Sequence, residues 1–84
     1  MIIDDTYDCY ILDADEDDTW FSSKSCITLH SILFIKEVSL NDEYNKVTEI
    51  TYNDGTFIYI KESVVIFRNS WKKFKRSINL YSIN

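Results

Sequence analysis

The segment Val47-Thr48-Glu49-Ile50-Thr51-Tyr52-Asn53-Asp54-Gly55-Thr56-Phe57-Ile58-Tyr59-Ile60-Lys61 decides the fold. Two runs rich in β-branched and aromatic residues, Val47 to Tyr52 and Thr56 to Lys61, flank Asn53-Asp54-Gly55. A strand, an Asp-Gly tip and a second strand is the strongest short-range sign of a β-hairpin. The side-chain faces fix its register. With Asn53-Asp54-Gly55 as a three-residue loop, Gly55 takes the left-handed position, Ile50 opposes Ile58 and Thr48 opposes Ile60. A two-residue Asp54-Gly55 turn would put Glu49 opposite Ile60, and a one-residue slip sends every side chain to the wrong face. The three-residue loop is therefore expected.

After Lys61 the period changes. Val64, Phe67, Trp71, Phe74 and Ile78 recur at intervals of three and four, which is one stripe of a helix, and Ser63 stands where an N-cap belongs. The helix is expected over about residues 63–78. The competing reading lets the β-branched Glu62–Phe67 stretch continue the sheet and starts the helix near Ser70; the five-member stripe favours the longer helix.

Before the hairpin, Tyr7 to Leu12 alternates as a strand does. Asp13 to Asp18 is a polar loop, Thr19 to Ser22 a second short strand, and Ser22-Ser23-Lys24-Ser25 a break. Cys26 to Ser39 is β-rich and too long for one plain strand. It reads either as one bent strand or as two pieces joined near His30-Ser31. Leu40 to Asn45 is a loop. The fold class is α+β, an antiparallel meander of four or five strands carrying one C-terminal amphipathic helix across a face. The chain divides into acidic N-terminal strands and loop (1–25), a β-rich core (26–61) and the helix.

Thr51 to Ser63, read as strand, Gly turn, strand and an apolar-Lys-Glu-Ser step into a helix, resembles the short FlbD/SwrD-type flagellar accessory proteins. Ile32-Leu33-Phe34-Ile35 is similar to their preceding apolar strand. The resemblance covers roughly residues 30–76. It departs at the acidic N-terminal third, at the long Ser39–Lys46 connection and in lacking a Pro-Asp step before the hairpin. It implies a non-enzymatic accessory role and transfers no catalytic residue.

The chain has 84 residues, enough for one domain, with a net charge of -5, one Gly and no Pro. That composition leaves no room for a glycine-rich phosphate loop. One His and two Cys provide neither paired zinc sites nor a disulfide-stapled miniprotein. The N-terminus has no basic segment and no apolar stretch of signal-peptide length, so a cytoplasmic location is expected, with Cys9 and Cys26 as reduced, buried thiols. In so small a domain, nearly every large apolar side chain is expected in the core or in an oligomer interface.

Charge is distributed unevenly. Residues 1–18 hold eight acids and no base, and residues 68–84 five bases and no acid. The acidic loop (Asp13, Asp15, Glu16, Asp17 and Asp18) begins like a calcium loop. Its sixth position is Asp18 where Gly is needed and its twelfth is Lys24 where Glu is needed, so no metal site is expected there. Cys26 and His30 are four apart, a spacing that suits a helix better than the β-rich stretch they occupy, and a packed Cys and a satisfied His are expected instead of a zinc site. His30 has no accompanying motif for nucleophilic catalysis. No catalytic residue, no cofactor and no enzymatic activity are expected.

Three functions remain. The first is a small protein-binding regulator or inhibitor whose acidic surface occupies a basic, nucleic-acid-handling partner; a composition heavy in Ile, Asn, Lys and Tyr suits a phage or mobile-element origin. The second is a nucleic-acid-binding module using the basic patch Arg68, Lys72, Lys73, Lys75 and Arg76. Against it, Trp71 and Phe74 lie on the apolar stripe, and a chain of charge -5 has a poor field for a polyanion. The third is an oligomer that sequesters a small ligand between subunits.

Overall fold

A computed structural model describes the backbone of residues 5–82 and the side chains of residues 5–78. Met1 to Asp4, where the acidic N-terminal third begins, lie outside the described residues. Five strands, β1 (Thr6–Ala14), β2 (Trp20–Thr28), β3 (Ile32–Val38), β4 (Val47–Tyr52) and β5 (Phe57–Ile60), precede one helix, α1 (Val64–Ser82). The fold is α+β, with one antiparallel five-stranded sheet and the helix against it.

The hairpin forms in the expected register. Ile50 lies opposite Ile58 and Thr48 opposite Ile60. Gly55 is left-handed, with φ 89°. The Tyr52 amide donates to the Thr56 carbonyl at 2.8 Å, and the Gly55 amide to the Tyr52 carbonyl at 3.0 Å, closing the Asn53-Asp54-Gly55 loop. Thr56 donates from its amide (3.0 Å) and its hydroxyl (2.6 Å) to Asp54 Oδ1. The hydroxyl bond first, then the amide bond, holds the Asp54 carboxyl below its ordinary pKa.

One local expectation changes, and one open alternative is decided. β2 runs straight through Ser22-Ser23-Lys24-Ser25, where a break is expected from composition. Its nine residues pair one for one with β1, from Ala14↔Trp20 to Thr6↔Thr28, and this continuous ladder overrides the weak strand propensity of serine. The Cys26–Ser39 stretch is two strands, with Ser31 left-handed (φ 70°) at their junction.

The strand order is β2-β1-β5-β4-β3, so the meander closes on itself: β5 pairs with β1, and β2 and β3 are left as edges. Yet only Leu29-His30-Ser31 joins those edges. In a flat sheet four strand spacings separate them by about 19 Å, while the chain from Thr28 to Ile32 reaches roughly 14 Å. The sheet must therefore coil until its edges approach. The approach is sealed where the Tyr52 hydroxyl donates to the Thr28 carbonyl at 2.9 Å, while the Asn53 amide, donating to the Ser31 carbonyl at 2.8 Å, prolongs the β3–β4 ladder into the link.

The inner face of the coiled sheet holds Tyr7, Cys9, Ile11, Ile27, Ile35, Ile50, Ile58 and Ile60, packed with Phe67, Trp71, Phe74 and Ile78 of α1. The stripe thus seats as expected, with Phe67 fully buried and Trp71 half-buried. Ser63 caps the helix by accepting the Ile66 amide on its Oγ at 3.3 Å. Tyr7 meets Phe67 edge to face at 5.3 Å and donates its hydroxyl to Glu62 Oε1 at 2.7 Å. Thr48, fully buried, donates to the Glu62 carbonyl at 2.8 Å and pins the strand-to-helix step. On the outer face the loop between β3 and β4 folds over Leu12 and Val47, burying Tyr44 and placing Leu40 beside them.

Phe67→Ala is expected to cost about 3–5 kcal/mol, and the half-buried Trp71→Ala less, in chemical denaturation; equal costs would mean that the two rings share the core alike. Because a Cβ on Gly55 meets nothing within 4 Å, only backbone strain opposes substitution there. Gly55→Val is expected to lower stability by about 1–2 kcal/mol, and Gly55→Asn by clearly less.

Candidate functional site

The β1–β2 connection places the acidic residues on a tight turn at one end of the longest hairpin. Asp13 and Ala14 belong to β1 rather than to a loop, and Asp13 lies opposite Phe21 while Ala14 lies opposite Trp20. Strand alternation therefore sends Asp13 to the face shared with Ile11, and Ala14 and Trp20 to the other. The turn is organised by Asp15. Its Oδ1 accepts the Asp17 amide at 2.9 Å and the Thr19 amide at 3.0 Å. Its own amide donates to the Thr19 carbonyl at 3.1 Å, and its carbonyl accepts the Asp18 amide at 3.0 Å. Asp18 takes the left-handed conformation, φ 59°, that glycine would otherwise supply. So Asp15 holds the turn, while Asp13, Glu16, Asp17 and Asp18 are exposed carboxylates with no cationic partner among the described residues.

The basic residues do not meet them. Arg68, Lys72, Lys73, Lys75 and Arg76 are all exposed along α1. Lys75 Nζ lies 3.9 Å from the centroid of the Trp71 ring. Among the described residues the one ion pair is Lys36–Glu49, at 3.6 Å across β3 and β4. The acidic and basic ends thus remain separate charge centres.

Cys26 is exposed, which corrects the expectation that both thiols are buried. The register gives the reason. Cys26 lies opposite Asp8, and Cys9 opposite Ser25, so the two thiols point to opposite faces and only Cys9 reaches the inner core. Burial pushes the Cys9 thiol up to about 11. His30 is exposed in the edge-joining link, where it borders a cleft of about 480 Å³ with Asp5, Thr28, Tyr52 and Asp54.

Neither motif nor charge points to the outer face of the sheet, which nevertheless carries exposed aromatic side chains. Phe57 is 56% exposed and Phe34 46%, on a face that also carries Trp20 and Tyr59. Trp20 stacks edge to face on Tyr59 at 5.5 Å, and Phe57 on Tyr59 at 5.6 Å. The signal was the period-two alternation itself: Phe57 and Tyr59 must face away from Ile58 and Ile60.

The chain matches no protein-family model, no curated protein and no solved structure. No helix among the described residues is long and apolar enough to cross a membrane.

Asp15→Ala is expected to lower stability by about 1 kcal/mol through two lost acceptor bonds, whereas Asp15→Asn, which keeps the oxygen, and Asp17→Asn leave the melting temperature within error. A maleimide probe is expected to label Cys26 in the native protein and Cys9 only on unfolding, since the thiolate is the reactive form and Cys9 is both covered and protonated. Equal native labelling of the two thiols, read by mass spectrometry, contradicts this assignment.

Proposed function

We propose that this chain is a small, non-enzymatic protein-binding regulator that presents its acidic hairpin turn to a basic, nucleic-acid-handling partner. One observation carries the reading: four exposed carboxylates, Asp13, Glu16, Asp17 and Asp18, cluster at the end of a two-stranded arm, held in place by Asp15 and paired with no cation among the described residues. Like charges gathered this way lower stability by self-repulsion, and they gain a use only when a cationic surface approaches. The resemblance of residues 30–76 to the FlbD/SwrD type agrees with an accessory role without chemistry.

Electrostatic steering acts on the association rate more than on the lifetime of a complex. Neutralising Asp15, Asp17 and Asp18 to Asn keeps the turn's acceptor at position 15 and removes three charges. Stopped-flow association with purified basic nucleic-acid-binding proteins, and with poly-lysine as a reference polycation, is expected to slow by roughly tenfold at low salt. Raising the ionic strength is expected to bring the wild type toward the mutant rate. A rate indifferent to both salt and substitution would sink the reading.

The exposure of all five helix cations favours a second reading, a nucleic-acid-binding face on α1. It differs in its outcome: a gel shift whose salt slope disappears on neutralising Lys72, Lys73, Lys75 and Arg76 supports the helix, not the turn.

A further inference from the structure

The strand registers align one row of side chains across the outer face of the whole sheet. Trp20 lies opposite Ala14. Leu12 lies opposite Tyr59, where the pairing of β1 with β5 ends, and Ala14 and Phe57 follow two residues on along each strand. Phe57 lies opposite Thr51, and Thr51 opposite Phe34. The row Trp20–Ala14–Phe57–Thr51–Phe34 carries no charge, in a chain where 27% of residues are charged. The β3–β4 loop covers the neighbouring part of this face, over Leu12, Val47 and Tyr59, reaches Trp20 in part, and leaves Phe57 and Phe34 bare. Between Trp20 and Phe57, beyond the last β1–β5 pair, a groove of about 170 Å³ opens, lined by Leu12, Ala14 and Tyr59 and by Asp13 as well. An exposed apolar strip with a pocket in it is what an interface presents.

The charges around the row say what occupies it. On one flank Lys36 and Glu49 neutralise each other. At the Trp20 end the row runs into the turn of Asp15, Glu16, Asp17 and Asp18, whose charges face no cation in the described chain. The matching surface is therefore apolar along its length and cationic at one end. We propose that this row is the docking surface for a basic amphipathic segment of the partner, with an apolar side chain seated in the groove between Trp20 and Phe57 and Lys or Arg side chains over the acidic turn. This rests on the function proposed above and adds the part of the interface that holds the complex together. The turn sets how fast the partner arrives, and the row how long it stays.

The probe is a fluorescein-labelled short peptide of alternating Leu and Lys, compared with a peptide of equal length and charge that alternates Ser and Lys, by fluorescence anisotropy. The Leu-Lys peptide is expected to bind tenfold or more tightly, the order of gain from burying one or two leucine side chains. Phe57→Ser with Phe34→Ser is expected to reduce its affinity to that of the Ser-Lys peptide. Both positions are exposed, and a circular dichroism melt verifies that the variant folds. Val65→Ser with Ile66→Ser, which removes exposed apolar side chains from α1 instead, is expected to change nothing.

Equal affinity for the two peptides, or a Leu-Lys affinity that the helix variant lowers and the sheet variant does not, overturns the docking row. It leaves the steering turn standing provided that both affinities still fall with salt. A light-scattering mass that rises with concentration and returns to the monomer in the Phe57→Ser, Phe34→Ser variant also overturns it, by making the occupant a second copy of this chain. Failure of the steering reading looks different: neither peptide binds at low salt.

Discussion

The link Leu29-His30-Ser31 is too short to cross a flat five-stranded sheet, and the architecture follows from that constraint. β2 and β3 are the two edges, and the chain must nevertheless step from one to the other in four residue spacings. Coiling brings the edges together, and the coil has an inside. α1 fills that inside with Phe67 and Phe74, and the bond from the Tyr52 hydroxyl to the Thr28 carbonyl fastens the approach of the two edges at one end. Ser31 takes a left-handed backbone to make the step, an uncommon conformation for a residue with a Cβ, which persists only where the surroundings over-determine it.

Coiling also settles how the aromatic residues divide. An inner-face side chain meets the helix where α1 reaches it, though Phe21, beside the acidic turn, stays 46% exposed, and one on the outer face meets water unless something covers it. The β3–β4 loop covers part of the outer face through Tyr44 and Leu40, with the Asn41 side chain accepting the Tyr44 amide at 2.7 Å to hold the loop closed. Its reach ends at Leu12, Tyr59 and Trp20. Beyond that limit Phe57 and Phe34 remain exposed, although each is directly adjacent in sequence to a residue packed against the core. For a domain of this size, leaving two phenylalanines in water forgoes stabilisation on the order of several kcal/mol. Such a surface is retained when it is used in binding, and this is the physical ground for the docking row.

The parts of the fold governed by local periodicity were legible in the sequence. The Asn53-Asp54-Gly55 loop, the pairing of Ile50 with Ile58, the Ser63 cap and the stripe from Val64 to Ile78 each follow from spacing and turn chemistry within a few residues. What the sequence hid was decided at long range. The serines of β2 form a strand because β1 offers them a full ladder, and no window around Ser22–Ser25 contains that information. Cys26 is exposed because its register partner is Asp8, a fact of pairing and not of hydrophobicity. The acidic turn was visible as a charge run, but the separate task of Asp15 depends on which amides its carboxylate meets. The outer aromatic row was the least legible, since it takes five strands in register to place Trp20, Phe57 and Phe34 on one line.

The two charge centres and the two sheet faces fit one division of labour. The cations of α1 lie along a helix whose apolar stripe is already committed to the inner core; its exposed apolar residues, Val65 and Ile66, stand in the first turn, apart from the run Lys72–Arg76, so most of that charge has no apolar grip beside it. The acidic turn stands at the end of an arm whose outer face continues directly into uncovered aromatic side chains, so that surface offers both. Long-range attraction falls off within a Debye length of about 8–10 Å and is shared by every cationic surface nearby. Selectivity has to come from contact, where shape and desolvation discriminate. A turn alone would attract polycations without choosing among them. In the proposed interface, a turn joined to an uncharged row would favour the cationic partner that also brings an apolar side chain at the right distance, and that coupling of reach to grip is the argument for the acidic end, rather than the basic one, as the partner-binding end.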